Sequence, residues 1–232
     1  MASSRSLLLP IGLVLSLLFI DAAISLSLVS SMVAFLHTYG GGPFPIEGPF
    51  ESTFLLAGEP AHLVVNQGHT TNGANGTVLV LVGFGGCIAL WLERRSRRKY
   101  DRSSPAFYVW ALIVFLSCLL TLTALIYTFV ETSKTGSQEI DYSVARATPA
   151  PAHYPNDRWT PENWYAAVLE LPLVSDDDRR VIQHNLTLMR GWRWNLIPMF
   201  LLGFALLSLV VLELLRLRRR STQKVPMEEV LA

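Results

Sequence analysis

The chain has 232 residues, enough for one soluble domain, yet 51% are hydrophobic and only 16% charged, against about 25% charged in soluble domains. A core of that size cannot hide several uninterrupted apolar stretches of about 20 residues, so the composition excludes an ordinary soluble domain and points to an integral membrane protein. Nineteen Lys and Arg against eighteen Asp and Glu exclude, on total charge, a nucleic-acid binder and an acidic solvating tail.

Four spans follow in chain order, and the fold class is an all-α membrane protein. Residues 7–36 form the first, with Asp21 as its one charge. Residues 77–92 form the second, which at 16 residues is short for an apolar layer of about 30 Å and must recruit loop residues, thin the bilayer or stand upright. Residues 106–130 carry no charge, with Phe107, Tyr108 and Trp110 at one end and Tyr127 and Phe129 at the other, as interfacial belts place them. Residues 196–215 are preceded by Trp192 and Trp194 and followed by Arg216, Arg218, Arg219 and Arg220.

Basic residues in short loops are retained on the cytoplasmic side. The 93–105 loop carries Arg94, Arg95, Arg97, Arg98, Lys99 and Arg102, the 216–232 tail carries four Arg and Lys224, and the 37–76 loop carries no Lys or Arg. Both termini are therefore expected inside, with loops 37–76 and 131–195 outside. Two sequons, at Asn75 and Asn185, fall on the outer side and are candidate N-glycosylation sites, although Asn75 abuts the second span. The first span has a rival reading as a signal peptide ending near residue 25, since Arg5, the apolar run from Leu7 and the small residues at 23–25 fit one. Against it, the apolar sequence continues through Leu26, Val29 and Val33.

The outer loops lack the bracing common in oxidising spaces, because Cys87 and Cys118 both lie in spans. Loop sizes resemble a tetraspanin, but the Cys-Cys-Gly motif is absent, as are the paired cysteines and Trp motif of claudins. The first loop opens with Gly40-Gly41-Gly42-Pro43, a flexible exit from the membrane, and its apolar centre, residues 54–66, is expected to rest on the bilayer or the other loop. The second begins as a Pro-containing linker over 132–157 and then predicts a helical hairpin. Its first helix, about 161–171, is capped by Thr160 with Pro161 at the first position; its second, about 176–190, is capped by Ser175 and closed at Arg190-Gly191. Trp159, Trp164, Trp192 and Trp194 cluster here, and such amphipathic rings favour a membrane interface or a partner contact.

Asp21 is the candidate intramembrane polar site: it serves a relay or ligand, or it is a neutral carboxyl bonded to a neighbouring span as a packing device. Gly83, Gly85, Gly86 and Ala89 are the candidate helix-packing face. The five histidines match no metal signature, and Asp176-Asp177-Asp178 reads as charge at a helix N-terminus. No catalytic residue, cofactor or metal is expected. The basic runs either set topology or hold anionic lipid, with Ser221 and Thr222 as phosphorylation candidates.

With Thr160-Pro161-Glu162-Asn163-Trp164-Tyr165, Leu171-Pro172-Leu173 and the run from Met189 to Pro198 on the page, the last third of the chain resembles uncharacterised four-span membrane proteins of filamentous fungi. The resemblance implies a source and a span count, and no activity. The sequence reading is thus a non-enzymatic tetraspan organiser or scaffold of the plasma membrane or endomembranes, acting through its outer loop and helix-packing faces. The alternative is an accessory of small-molecule biosynthesis or transport with a pocket around Asp21. Implied partners are the lipid bilayer and other membrane proteins or further copies of the chain, without nucleic acid.

Overall fold

The computed structural model describes residues 6–224, with side chains as far as residue 219. Arg5, the side chains of Arg220, Ser221, Thr222 and Lys224, and residues 225–232 lie outside the described residues. The protein is mostly helical, and four helices are long and apolar enough to cross a membrane: Leu8–Gly40, Asn66–Tyr100, Pro105–Lys134 and Asp176–Arg219. That set fits a multi-pass membrane protein.

The first is α1 (Leu8–Phe35) with a terminal π-helical turn, Leu36–Gly40. The second joins α2 (Asn66–Gly76), a π-helical stretch (Thr77–Phe84) and α3 (Gly85–Tyr100). It is far longer than the 16 residues expected, because the polar segment Asn66–Gly76 continues the helix instead of forming loop. Within the helix its backbone groups are paired, and Thr70, Thr71 and Thr77 return their hydroxyls to carbonyls one turn back. The third is α4 (Pro105–Lys134). Next come α5 (Tyr142–Ala147), α6 (Pro161–Glu170) and α7 (Asp176–Lys224).

Three expectations change. The protein is not purely α-helical: β1 (Phe44–Glu47) and β2 (Thr53–Leu56) pair antiparallel, Phe44 opposite Leu56 and Glu47 opposite Thr53. Strand alternation explains this, since Phe44 and Ile46 are buried while Glu47 is exposed, a period of two that a helix cannot satisfy. The segment expected as a plain linker contains α5, whose Asp141 cap accepts the Ser143 and Val144 amides at 2.8 and 3.3 Å. Bonds from the Ser143 side chain and these amides hold the Asp141 carboxyl below its ordinary range. Finally, α7 does not close at Gly191. It runs through Gly191 and Pro198 for 49 residues, about 73 Å at 1.5 Å per residue. A glycine stops a helix by turning left-handed, and no described glycine has positive φ. The second hairpin helix and the fourth span are therefore one continuous helix.

The chain divides into two compact units. The first comprises the described parts of 1–23, 73–123 and 197–232. Its inner faces recur at helical spacing, with Ile11, Leu15, Leu18 and Ala22 on α1 and Phe107, Trp110 and Val114 on α4. Its outer faces are apolar too, including Leu9, Leu13, Leu17, Ile88 and Leu112. Helices apolar all round suit a lipid surrounding.

The second unit comprises Ile24–Asn72 and Ala124–Leu196. Its core gathers Phe35, Phe44, Ile46, Leu56, Trp159 and Trp164, with Tyr154 and Tyr165 fully enclosed. Three of the polar handles of this aromatic core are matched. Trp164 Nε1 donates to Gly58 O at 2.7 Å, Trp159 Nε1 to Asn156 O at 2.9 Å, and Tyr165 Oη to Gly40 O at 3.0 Å. Burial pushes the Tyr165 hydroxyl well above its ordinary range, so it remains a donor. Gly58 is required here by close approach: a Cβ would stand 2.1 Å from Gly40 O.

Candidate functional site

In the first unit, the small residues of the second span meet bulky neighbours. A Cβ on Gly83 would lie 2.5 Å from the Phe19 ring, and one on Gly86 would lie 2.7 Å from Leu15 Cδ2 and 2.9 Å from Trp110 Cζ2. Gly83, Gly86 and Ala89 are buried, while Gly85 is half-buried and a Cβ there would come no closer than 3.8 Å to Val80 O and 4.0 Å to Trp110. Trp110 Nε1 also donates to Val82 O at 3.0 Å. These glycines thus let three helices of one chain approach.

The same unit holds a buried ionic cluster that charge counting along the sequence misses. Arg97 donates from Nε to Glu93 Oε1 at 2.6 Å and from Nη1 to Glu213 Oε1 at 2.5 Å. Glu93 also accepts Ser103 Oγ and the Ser104 amide, both at 2.7 Å. Glu213 accepts the Leu7 amide at 3.2 Å, at the free N-terminal end of α1. Both carboxylates are almost wholly enclosed, and a buried charge is tolerated only with such a full set of donors. The cluster joins α1, α3, α7 and the 101–104 turn. Its bonds tie these segments together as a clamp. Glu213 sits in an apolar run and Glu93 heads a basic loop, and only their convergence on Arg97 marks them.

Asp21 lies midway along α1, half-buried, beside Ala22 and one turn from Leu18, both buried. Asn75 is fully enclosed within a helix, where a glycan has no room, whereas Asn185 is half-buried on α7 and donates to Val181 O at 2.9 Å.

In the second unit the four tryptophans differ. Trp159, Trp164 and Trp192 are buried, and only Trp194, 56% exposed, presents its ring at a surface. Trp194 stands edge-on to Phe129 at 5.3 Å, and the Arg193 guanidinium lies 5.6 Å from the Trp194 ring and 5.5 Å from the Phe129 ring. Arg193 also pairs with Glu162 Oε1 at 3.1 Å, linking α6 to α7. Burial pushes the Glu162 carboxyl above its ordinary 4.5, against the pull of Arg193 and Arg190.

The strongest surface feature is the hairpin tip. Gly48 donates its amide to Ser52 O at 2.6 Å and Ser52 Oγ donates to Pro49 O at 2.7 Å, closing a tight turn. Phe50 and Glu51 both have φ of 58°, in the left-handed region that costs a non-glycine residue about 1 kcal/mol or more. The Phe50 side chain is 101% exposed. The base beneath is rigid: Val174 donates to Pro45 O at 3.0 Å, Glu47 to Pro172 O at 2.8 Å, Tyr142 Oη to Glu47 O at 2.6 Å and Ala150 to Leu55 O at 2.7 Å. A large apolar ring is thus held outside the core on a strained, braced turn. Sequence reasoning passed over it, and the Pro49-Phe50 pair inside a turn was the available signal.

No group of three or more His, Cys, Asp or Glu side chains able to hold a metal occurs among the described residues. Cys87 is exposed and Cys118 buried, and His153 Nδ1 is engaged with Glu59 O at 2.8 Å. Comparison with protein families, curated proteins and solved structures finds no match to this chain.

Proposed function

We propose that this is a non-enzymatic four-span membrane organiser that docks other membrane proteins through its second unit, with Phe50 as the anchor. The observation that carries the reading is the fully exposed Phe50 on a turn braced from both edges. A fixed aromatic loses little conformational freedom on binding, which suits it to the centre of an interface. Basic residues in the 93–105 loop and after residue 215 support an orientation with both termini in the cytoplasm and the second unit outside, in the plasma membrane or endomembranes. Trp194, Phe129 and Arg193 then serve as an anchor at the outer membrane interface, and Asn185 is the glycosylation candidate. Gly83, Gly86 and Ala89 serve packing within the chain, and Asp21 is a neutral packing carboxyl.

The test is a photo-crosslinking residue at position 50, with a second at exposed Gln183 as control, in the full chain in its own membranes. Recurrent protein adducts at 50 and not at 183 are expected. Adducts to lipid alone at position 50 would sink the reading. Phe50→Gly, which relaxes the turn, should keep or raise stability while abolishing co-purification of the adducted protein.

A further inference from the structure

On α3 the residues Trp91, Arg94, Arg95, Arg98 and Lys99 recur at i, i+3, i+4, i+7 and i+8, the spacing of one helical face. Together these exposed side chains line a shallow, open cavity of about 680 Å³ along this one helix face, and no acidic side chain lines it. The Arg95 guanidinium lies 5.6 Å from the Trp91 ring centroid, so the ring shields one side of the cation. Arg97, the remaining cation of this helical turn, points the other way into the Glu93 and Glu213 cluster. The four cavity cations are thus set apart from the carboxylates that clamp the helix.

The same face continues upward as exposed apolar surface through Ile88 and Phe84, which in a membrane-spanning helix contacts acyl chains. Trp91 marks the change from apolar to charged, as interfacial tryptophans do. From Trp91 to Arg98 the helix advances about 10 Å, somewhat more than the headgroup layer of about 5–7 Å on each side. One ligand matches both parts of this face: a membrane lipid whose tails lie on Phe84 and Ile88 and whose headgroup fills the cavity. Four cations on one helix face exceed the single charge of an ordinary phosphodiester, and Arg is suited to bidentate phosphate recognition.

We infer that the α3 cavity is a binding site for a phospholipid bearing phosphomonoesters on its headgroup, of the phosphoinositide class. The site rests on the membrane location and the proposed cytoplasmic orientation of the 93–105 segment, and not on the docking role of Phe50.

The experiment is native mass spectrometry of the full chain in mild detergent, titrated with a phosphatidylinositol bisphosphate, phosphatidylserine, phosphatidylcholine or free inositol trisphosphate. One phosphoinositide per chain should be retained, at least tenfold more tightly than phosphatidylserine. The Arg95→Gln/Arg98→Gln pair should weaken it by about fivefold per charge removed, with an unchanged melting temperature. The control pair Arg102→Gln/Arg219→Gln, of equal charge loss, should bind as the unaltered chain does. Equal retention of phosphatidylserine, an equal loss in the control pair, or binding of the free inositol phosphate as tight as the lipid would each overturn the assignment.

Discussion

Arg97 and Glu213, 116 residues apart in sequence, meet at 2.5 Å, with Glu213 almost removed from solvent and Arg97 partly buried. Their contact, with Glu93 on the other edge of the guanidinium, ties the end of α3 to the far part of α7 and to the start of α1. Removing one member leaves charges without compensation. Arg97→Gln should destabilise the protein by about 3–5 kcal/mol, read from denaturant unfolding in detergent micelles. Neutralising Glu93 and Glu213 in the same chain should restore most of that loss, and an Arg97→Gln protein as stable as its parent would show that the cluster is not a clamp.

The glycine contacts in the first unit separate two outcomes that helix propensity alone would merge. Gly86→Ala places a methyl against Leu15 and the Trp110 ring and should cost about 1–3 kcal/mol by overpacking. At Gly12 a Cβ meets nothing within 4 Å, so Gly12→Ala should be neutral or gain up to about 1 kcal/mol. Thermal melts of the two variants side by side decide the matter.

Glu162 supplies a pH dependence with a defined sign. Its folded carboxyl titrates above the ordinary 4.5 because burial outweighs the two arginines. The folded state therefore holds this proton more tightly than the unfolded state does. The contribution is fully present below 4.5 and is lost as pH rises through the higher folded value. Glu162→Gln should remove that component, so the difference in melting temperature between variant and parent should change across this window and be flat above it.

Asp21 is half-buried in α1 with Leu18 and Ala22 buried beside it. As a neutral packing carboxyl it should accept replacement by its amide. Asp21→Asn is expected to leave membrane insertion and unfolding temperature unchanged within about 1 kcal/mol, measured by extraction yield and thermal melting. A variant that folds as the parent does but loses proton movement in reconstituted vesicles would point instead to a relay.

The long apolar runs were legible because crossing a membrane is a property of local composition. A chargeless stretch such as Ala106–Val130 has few alternatives when water is absent. Capping is equally local: Thr160 accepts the Asn163 amide and Ser175 Oγ the Asp178 amide, bonds spanning three residues. The sequence by itself therefore determined that this is a helical membrane protein with four apolar spans and where several helices begin.

Only tertiary structure decided the rest. Asn66–Gly76, with three glycines and no apolar face, has no local reason to be helical; Gln67, Thr71, Ala74 and Asn75 are buried there by packing. Gly191 reads as a stop, but it sits within one continuous helix against Leu28. Trp159 and Trp164 carry the composition of an interface yet pack into one another at 5.3 Å between ring centroids inside the core. Glu213 is separated from Glu93 and Arg97 by more than a hundred residues, and Phe50 owes its exposure to strands and loops that converge beneath it. Each of these depends on the energy of contacts between distant segments, which composition and periodicity along the chain do not encode.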